Sequence, residues 1–161
     1  MPKGSPPARH RPKDLAGYLD ALSRPVFQAG ISWRVVESKW DGIREAFNRF
    51  DPAAIAAFGP DDVDRLLGDP RVIRSRAKLE ATIDNAQTLL ELDREYRGFR
   101  RYLRSHEGFD ATVADLKRNF RYIGDSGAYH FLYVVGEQVP PHEEWFAQQR
   151  GRTGRHKPVS R

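Results

Sequence analysis

The chain has 161 residues, 39% of them apolar, enough for one domain with one core. It has no cysteine, which excludes disulfides and cysteine-based zinc sites; no apolar run is long enough to cross a membrane or act as a secretion signal, so a cytoplasmic protein is expected. The net charge of +5 is unevenly placed: residues 1–13 and 148–161 carry nine basic residues and no acid, so +5 less +9 leaves −4 for the middle.

In chain order, residues 1–13 are rich in Pro, Lys and Arg and are expected to be a disordered basic tail, as is 148–161, with one folded domain over 14–147. A first helix is predicted over Leu15–Ser23, with Leu15, Tyr18, Leu19 and Leu22 on one face, ended by Pro25. Phe27 to Trp33 then turns into a second helix with Trp33, Val36, Trp40 and Ile43 in one stripe, extended by Ala46, Phe47 and Phe50. Asp51-Pro52 reads as a helix start, because Asp can cap and Pro is tolerated at the first helical position. Pro60-Asp61-Asp62-Val63 begins another helix with carboxylates where the helix dipole favours them. After Gly68-Asp69-Pro70, the residues Ile73, Ala77, Ile83, Ala86 and Leu90 are spaced for a long amphipathic helix. Gly98, Gly108 and Asp110 punctuate the stretch between that helix and residue 112. No segment carries a convincing strand pattern, and the expected fold is all-α, with eight or nine short helices.

The segment Leu116 to Gly136 carries the strongest functional signal. A helix-like stretch, Thr112 to Arg118, leads to an aromatic corner, Phe120 to Ile123, a tight turn, Gly124-Asp125-Ser126-Gly127, and a second apolar helix, Ala128 to Val135. Such a turn presents unpaired backbone N–H groups at a helix start, and those groups and the helix dipole both attract phosphate. Asp125 and Ser126 are expected to cap this helix. Lys117, Arg118 and Arg121 stand beside the turn, and Arg94–Arg121 counts eight basic against four acidic residues. The pattern fits a helix-hairpin-helix nucleic-acid element; the same spacing also fits an ordinary helix pair closed by glycine.

Four blocks follow one another in order: Gln28-Ala-Gly-Ile-Ser-Trp33, Phe47-Asn-Arg-Phe-Asp-Pro52, Asp61-Asp-Val-Asp-Arg-Leu-Leu67 and Ile73-Arg-Ser-Arg-Ala-Lys-Leu-Glu-Ala-Thr-Ile-Asp-Asn-Ala86. With Leu116-Lys-Arg118, Phe120 to Gly124 and Tyr129, this chain resembles the DNA-3-methyladenine glycosylase I family of the helix-hairpin-helix glycosylases, over roughly Leu19 to His142. The resemblance implies an all-α helix-hairpin-helix glycosylase-like domain. It would act as a monomer on double-stranded DNA at the nucleoid, with an alkylated purine flipped into an aromatic pocket, since the reacting bond is inaccessible inside the stack. It also implies a base pocket at Trp33, with Gln28 and Phe27 beside it, and a Gln28–Ile31 loop filling the gap, with Gly30 and Ile31 as wedge. Lys117, Arg118, Arg121 and the Gly124–Gly127 turn would hold the DNA backbone. The family's zinc is held by two Cys and two His; here there is no Cys and only His142 falls at a ligand position, so no metal or other cofactor is expected. The family's pocket glutamate falls on Pro25, and its pocket tyrosine has no counterpart ahead of the first helix.

An alkylated purine is already a good leaving group, and a carboxylate near the oxocarbenium-like transition state would assist. Glu143 and Glu144, after the hairpin and beside His142, are the catalytic candidates; the same pair would serve as a solvated opening to a last helix after Pro140-Pro141. Glu37 could replace the missing pocket acid or lie at the surface, and His130 reads as a core residue of the second hairpin helix. Three functions are open: a zinc-free glycosylase for alkylated purines, a DNA-binding relative without catalysis, and a helical module whose basic tails meet an acidic partner.

Overall fold

The computed structural model describes residues 11–156; the expectations for 1–10 and 157–161 lie outside the described residues. Among the described residues there are nine α-helices, one 3₁₀ turn and no strand. The all-α expectation holds.

Helix α1, Leu15–Gln28, lies at the centre of the core and buries Leu19, Leu22, Val26 and Phe27. Asp14 caps it, its carboxylate accepting the Gly17 N–H at 2.9 Å. Two expectations are corrected at its ends. The helix runs on through Pro25 rather than stopping there. Proline removes only one donor, its own carbonyl still accepts the Ala29 N–H at 3.1 Å to close the helix, and burial of Pro25, Val26 and Phe27 holds the last turn in place. The basic segment ahead of α1 is also not all loose: Pro12 is buried on the first turn, and a Cβ at Gly17 would lie 2.9 Å from its Cβ.

Helix α2, Trp33–Ala46, is capped by Ser32 and buries Val36, Trp40, Ile43 and Ala46. The Trp40 indole N–H donates to both carboxylate oxygens of Asp20 at 3.2 Å, tying α2 to α1. Asn48, Arg49 and Phe50 follow with φ of 52°, 55° and 59°, a left-handed turn that costs L-residues about 1–2 kcal/mol each. Buried ring stacking holds it: Phe50 stacks on Trp40 at 5.4 Å and on Phe47 at 5.5 Å.

Short helices α3, Pro52–Ala56, and α4, Pro60–Leu67, start where the Asp-Pro and Gly-Pro signals placed them. Asp51 accepts the Ala53 N–H at 3.2 Å, and Asp62 reaches back to the Gly59 N–H at 2.9 Å. Asp51→Ala is expected to cost about 1 kcal/mol, read as a lowered midpoint in thermal or denaturant unfolding.

The long helix α5, Arg76–Tyr96, packs against α1, α3, α4 and α6 and is the spine of the domain. Its buried face is Leu79, Ile83, Ala86 and Leu89, with Lys78, Thr82 and Asn85 buried beside them. Ile73, expected on this helix, precedes it, and Ala77 and Leu90 are only half-buried at its flanks. Helices α6, Phe99–Leu103, and α7, Phe109–Asn119, are joined by a part-buried network. In it Asp115 accepts from the Tyr102 hydroxyl at 2.7 Å and from Asn119 at 3.1 Å, and meets His106 Nε2 at 3.0 Å.

Helix α8, Asp125–Val134, leads to α9, His142–His156. The expected boundary at 147/148 falls inside α9, so 148–156 are helical rather than a loose tail. Trp145 anchors the helix: it is buried, packs against Phe109 and Tyr129, and donates its indole N–H to Asp110 at 2.7 Å. Arg152 adds a second bond to Asp110 at 3.3 Å.

Candidate nucleic-acid interface and base cleft

The end of α1 and the start of α2 enclose an open cleft of about 360 Å³ lined by Gln28, Gly30, Ile31, Ser32 and Trp33. Four expected site residues therefore come together. The loop is a tight turn: the Ile31 N–H donates to the Gln28 carbonyl at 2.8 Å, and the Gln28 side-chain amide donates to the Ile31 carbonyl at 2.9 Å. Gly30 sits at φ +82°, in the left-handed region where side chains are strained. Ile31 is half-buried against the core, and Trp33 is half-buried at the first position of α2.

Phe27 is the exception among the pocket residues. It is fully buried, between Trp40 and Phe47, and offers no face to the cleft. It points inward because it follows Val26 on the core face of a helix that does not end at Pro25.

Two further residues belong to this region and were missed or misread from the sequence. Lys78, on α5, is 8% exposed and donates through Nζ to the carbonyls of Phe27 and Ala29, at 2.9 and 2.5 Å. These are carbonyls at the end of α1, where intrahelical donors run out and the dipole favours a cation. Burial lowers the Lys78 pKa from its ordinary value. His130, read as core, is half-buried with its ring 5.8 Å from Trp33, edge to face, and 5.9 Å from His142. Burial, with the neighbouring His142 adding to it, pushes its pKa below the usual histidine value, which favours the neutral ring. Only spacing along α8 bears on His130 in the sequence, and that spacing is also satisfied by a core residue.

The hairpin is formed by α7, the corner Phe120–Gly124 and α8. Phe120 and Ile123 are buried anchors, while Tyr122 is 45% exposed at φ +63°, a strained position for a tyrosine. Gly124 is the N-cap of α8, and the helix begins at Asp125, earlier than the apolar run suggested. Asp125 and Ser126 therefore lie in the first turn and make no capping bond, contrary to expectation. The first intrahelical bond at this end runs from the Ala128 N–H to the Gly124 carbonyl at 2.9 Å. The N–H groups of Asp125, Ser126 and Gly127 are thus the ones a helix start leaves without an intrahelical acceptor. Gly127 is a packing residue as well: a Cβ there would approach that of Pro25 at 3.2 Å, so α8 starts hard against the end of α1.

The basic residues beside the turn are paired, so the local positive charge is weaker than the residue count suggested. Lys117 meets Asp125 at 2.8 Å, Arg118 meets Asp115, and Arg121 meets Asp84. All three cations are exposed, and surface pairs of this kind exchange partners at little cost.

The acidic candidates are elsewhere. Glu143 and Glu144 lie exposed in the first turn of α9, Glu143 only 4.0 Å from His142, and neither lines the cleft. Pro141 immediately precedes the helix, and two carboxylates at a helix start suit the dipole without any catalytic role. Glu37 is exposed and paired with Arg24 at 3.2 Å, which also bonds Asp20. Among the described residues no group of three or more His, Asp or Glu could hold a metal ion. His142 lies instead among rings, 4.4 Å from Phe146 and 5.2 Å from Tyr129, and this donor set does not fit a structural zinc.

Comparisons with known proteins agree with this fold. The family model for methyladenine glycosylase matches residues 11–128. DNA-3-methyladenine glycosylase 1 of Escherichia coli is 29% identical over 130 residues, covering 68% of this chain and 70% of that protein. DNA-3-methyladenine glycosylase of Haemophilus influenzae is 33% identical over 130 residues with the same coverage. The solved structure of 3-methyladenine DNA glycosylase I from Staphylococcus aureus superposes with a TM-score of 0.69 at 26% identity, covering 79% of each chain. The matched residues take in the cleft loop and the hairpin as far as the first turn of α8, and on that evidence the chain belongs to the methyladenine glycosylase family.

Proposed function

We propose that this protein is a DNA glycosylase that releases an alkylated purine such as 3-methyladenine from double-stranded DNA, acting as a monomer at the nucleoid. The observation that carries this reading is the juxtaposition of the Trp33 cleft with the hairpin, the start of α8 lying against Pro25 three residues before Gln28. The N–H groups of Asp125, Ser126 and Gly127 receive a phosphate of the damaged strand, with Lys117, Arg118 and Arg121 turning from their acidic neighbours toward the backbone. Gly30 and Ile31 enter the gap left by the base, and the everted purine stacks on Trp33.

The chemistry asks little of the protein. Alkylation places positive charge on the purine, so the N-glycosidic bond breaks toward an oxocarbenium ion and a neutral base departs with the bonding pair; solvent water then adds at the anomeric carbon and gives its proton back to solvent. Holding the base out of the stack and on the indole face then supplies positioning. Glu143 or Glu144 would reach the reacting sugar only if DNA brought α9 to the cleft.

Incubating the purified protein with methylated duplex DNA is expected to release free 3-methyladenine; no release across several alkylated bases would sink the enzymatic reading. A second reading, a DNA-binding relative without catalysis, starts from the cleft lining, which among the described residues contains no carboxylate. That reading expects salt-dependent duplex binding, with log affinity falling linearly in log salt, and no released base.

A further inference from the structure

Helix α5 holds both DNA-facing loops by buried polar side chains. At one point Lys78 donates to the carbonyls of Phe27 and Ala29, fixing the strand of chain that opens the cleft loop. Two turns further on, Asn85, 2% exposed, makes a two-way bond with the hairpin corner. Its amide donates to the Arg121 carbonyl at 3.1 Å, and its carbonyl oxygen accepts the Arg121 N–H at 2.8 Å. Between them Thr82, also buried, donates to the Lys78 carbonyl at 2.9 Å. Positions 78, 82 and 85 fall on one helix face, and seven residues of helix span about 10 Å.

Buried polar groups of this kind are costly unless bonded, and here both are bonded to main chain that would otherwise be left without these partners. Their partners explain them. Neither contacts the cleft or the phosphate-binding turn; each bonds main chain of a loop that reaches one. We propose that Lys78 and Asn85 are positioning residues that fasten the gap-filling loop and the hairpin corner to one rigid helix, so that wedge and phosphate grip are held at a fixed separation on the duplex. The proposal rests on the glycosylase reading for its two DNA contacts. It adds that their spacing is built into α5 before DNA arrives.

The test compares affinity for two duplexes, one undamaged and one carrying a stable abasic-site analogue, where a ready gap rewards the wedge. The wild-type protein is expected to prefer the abasic duplex. Lys78→Met keeps the side-chain length and removes the donors. It is expected to lower affinity for the abasic duplex about tenfold and leave undamaged duplex within about twofold, the size of a lost charged hydrogen bond. Asn85→Ala frees the corner and is expected to weaken both duplexes about equally, by about tenfold. Lys78→Gln, which retains donors on a shorter arm, should fall between wild type and Lys78→Met, and it serves if the methionine variant does not fold.

A structural role alone would lower the melting temperature and weaken both duplexes alike in every variant. That result overturns the proposal, as does an unchanged preference in Lys78→Met or a wild type that shows no preference. Base release is scored separately: abasic preference without release removes the enzymatic reading and keeps the positioning role. Release with Lys78→Met matching wild type on both duplexes does the reverse.

Discussion

Gly124→Asp is expected to lower affinity for duplex DNA by about a hundredfold at moderate salt, roughly 2.7 kcal/mol, without unfolding the protein. The fold itself has no need of glycine at this position. Its φ of −105° is open to any residue, and an added Cβ would meet nothing within 4 Å. Aspartate is among the best N-cap residues, so the isolated protein should be at least as stable as wild type. The penalty is confined to the complex. The new carboxylate would accept the very N–H groups offered to phosphate and would set a negative charge against the strand. The measurement is a binding titration at several salt concentrations beside a thermal melt. A lowered melting point would mean that Gly124 serves the fold, and unaltered affinity would remove the hairpin from the interface.

Trp33→Ala is expected to cut base release by between about 10- and 100-fold while duplex binding stays nearly unchanged, because stacking on an aromatic ring is worth about 1–3 kcal/mol per base. Trp33 has the one large flat face among the residues lining the cleft. It is only half-buried, whereas Trp40 and Trp145 are buried and hydrogen-bonded to Asp20 and Asp110, so truncation there would damage the core instead. Trp33→Phe, which keeps a ring, should retain most of the release. Single-turnover release measured on the same methylated duplex separates the cases, and wild-type release by the alanine variant would move the base site away from this cleft.

Much of the candidate site's local structure could be read in the residues because its parts are turns and helix starts. Gly30 marks a turn needing positive φ, and Gly124 to Gly127 marks a helix start; both depend on a few neighbours in the chain. The family resemblance then gave those turns a shared purpose. Phe27 and His130 show the limit. Each sits on a helix at a spacing compatible with core or pocket, and the choice depends on what packs across from it. Phe27 turns to Trp40 and Phe47, and His130 turns to Trp33. The expected stop at Pro25 failed for the same reason: local geometry opposed continuing the helix, and burial of the next turn outweighed it.

By itself the chain's sequence determined the all-α class, the Asp51 and Pro60 helix starts, the glycine turns and the absence of a cysteine zinc site, since each depends on neighbours within a turn or on composition. Only the tertiary structure decided that Lys78 and Asn85 hold two loops 36 to 51 residues away, that acids pair with the hairpin's cations, and that Glu143 and Glu144 open a helix outside the cleft. The Lys78, Asn85 and Arg121–Asp84 contacts join distant segments, and the place of α9 relative to the cleft depends on how the helices pack, which no local pattern records.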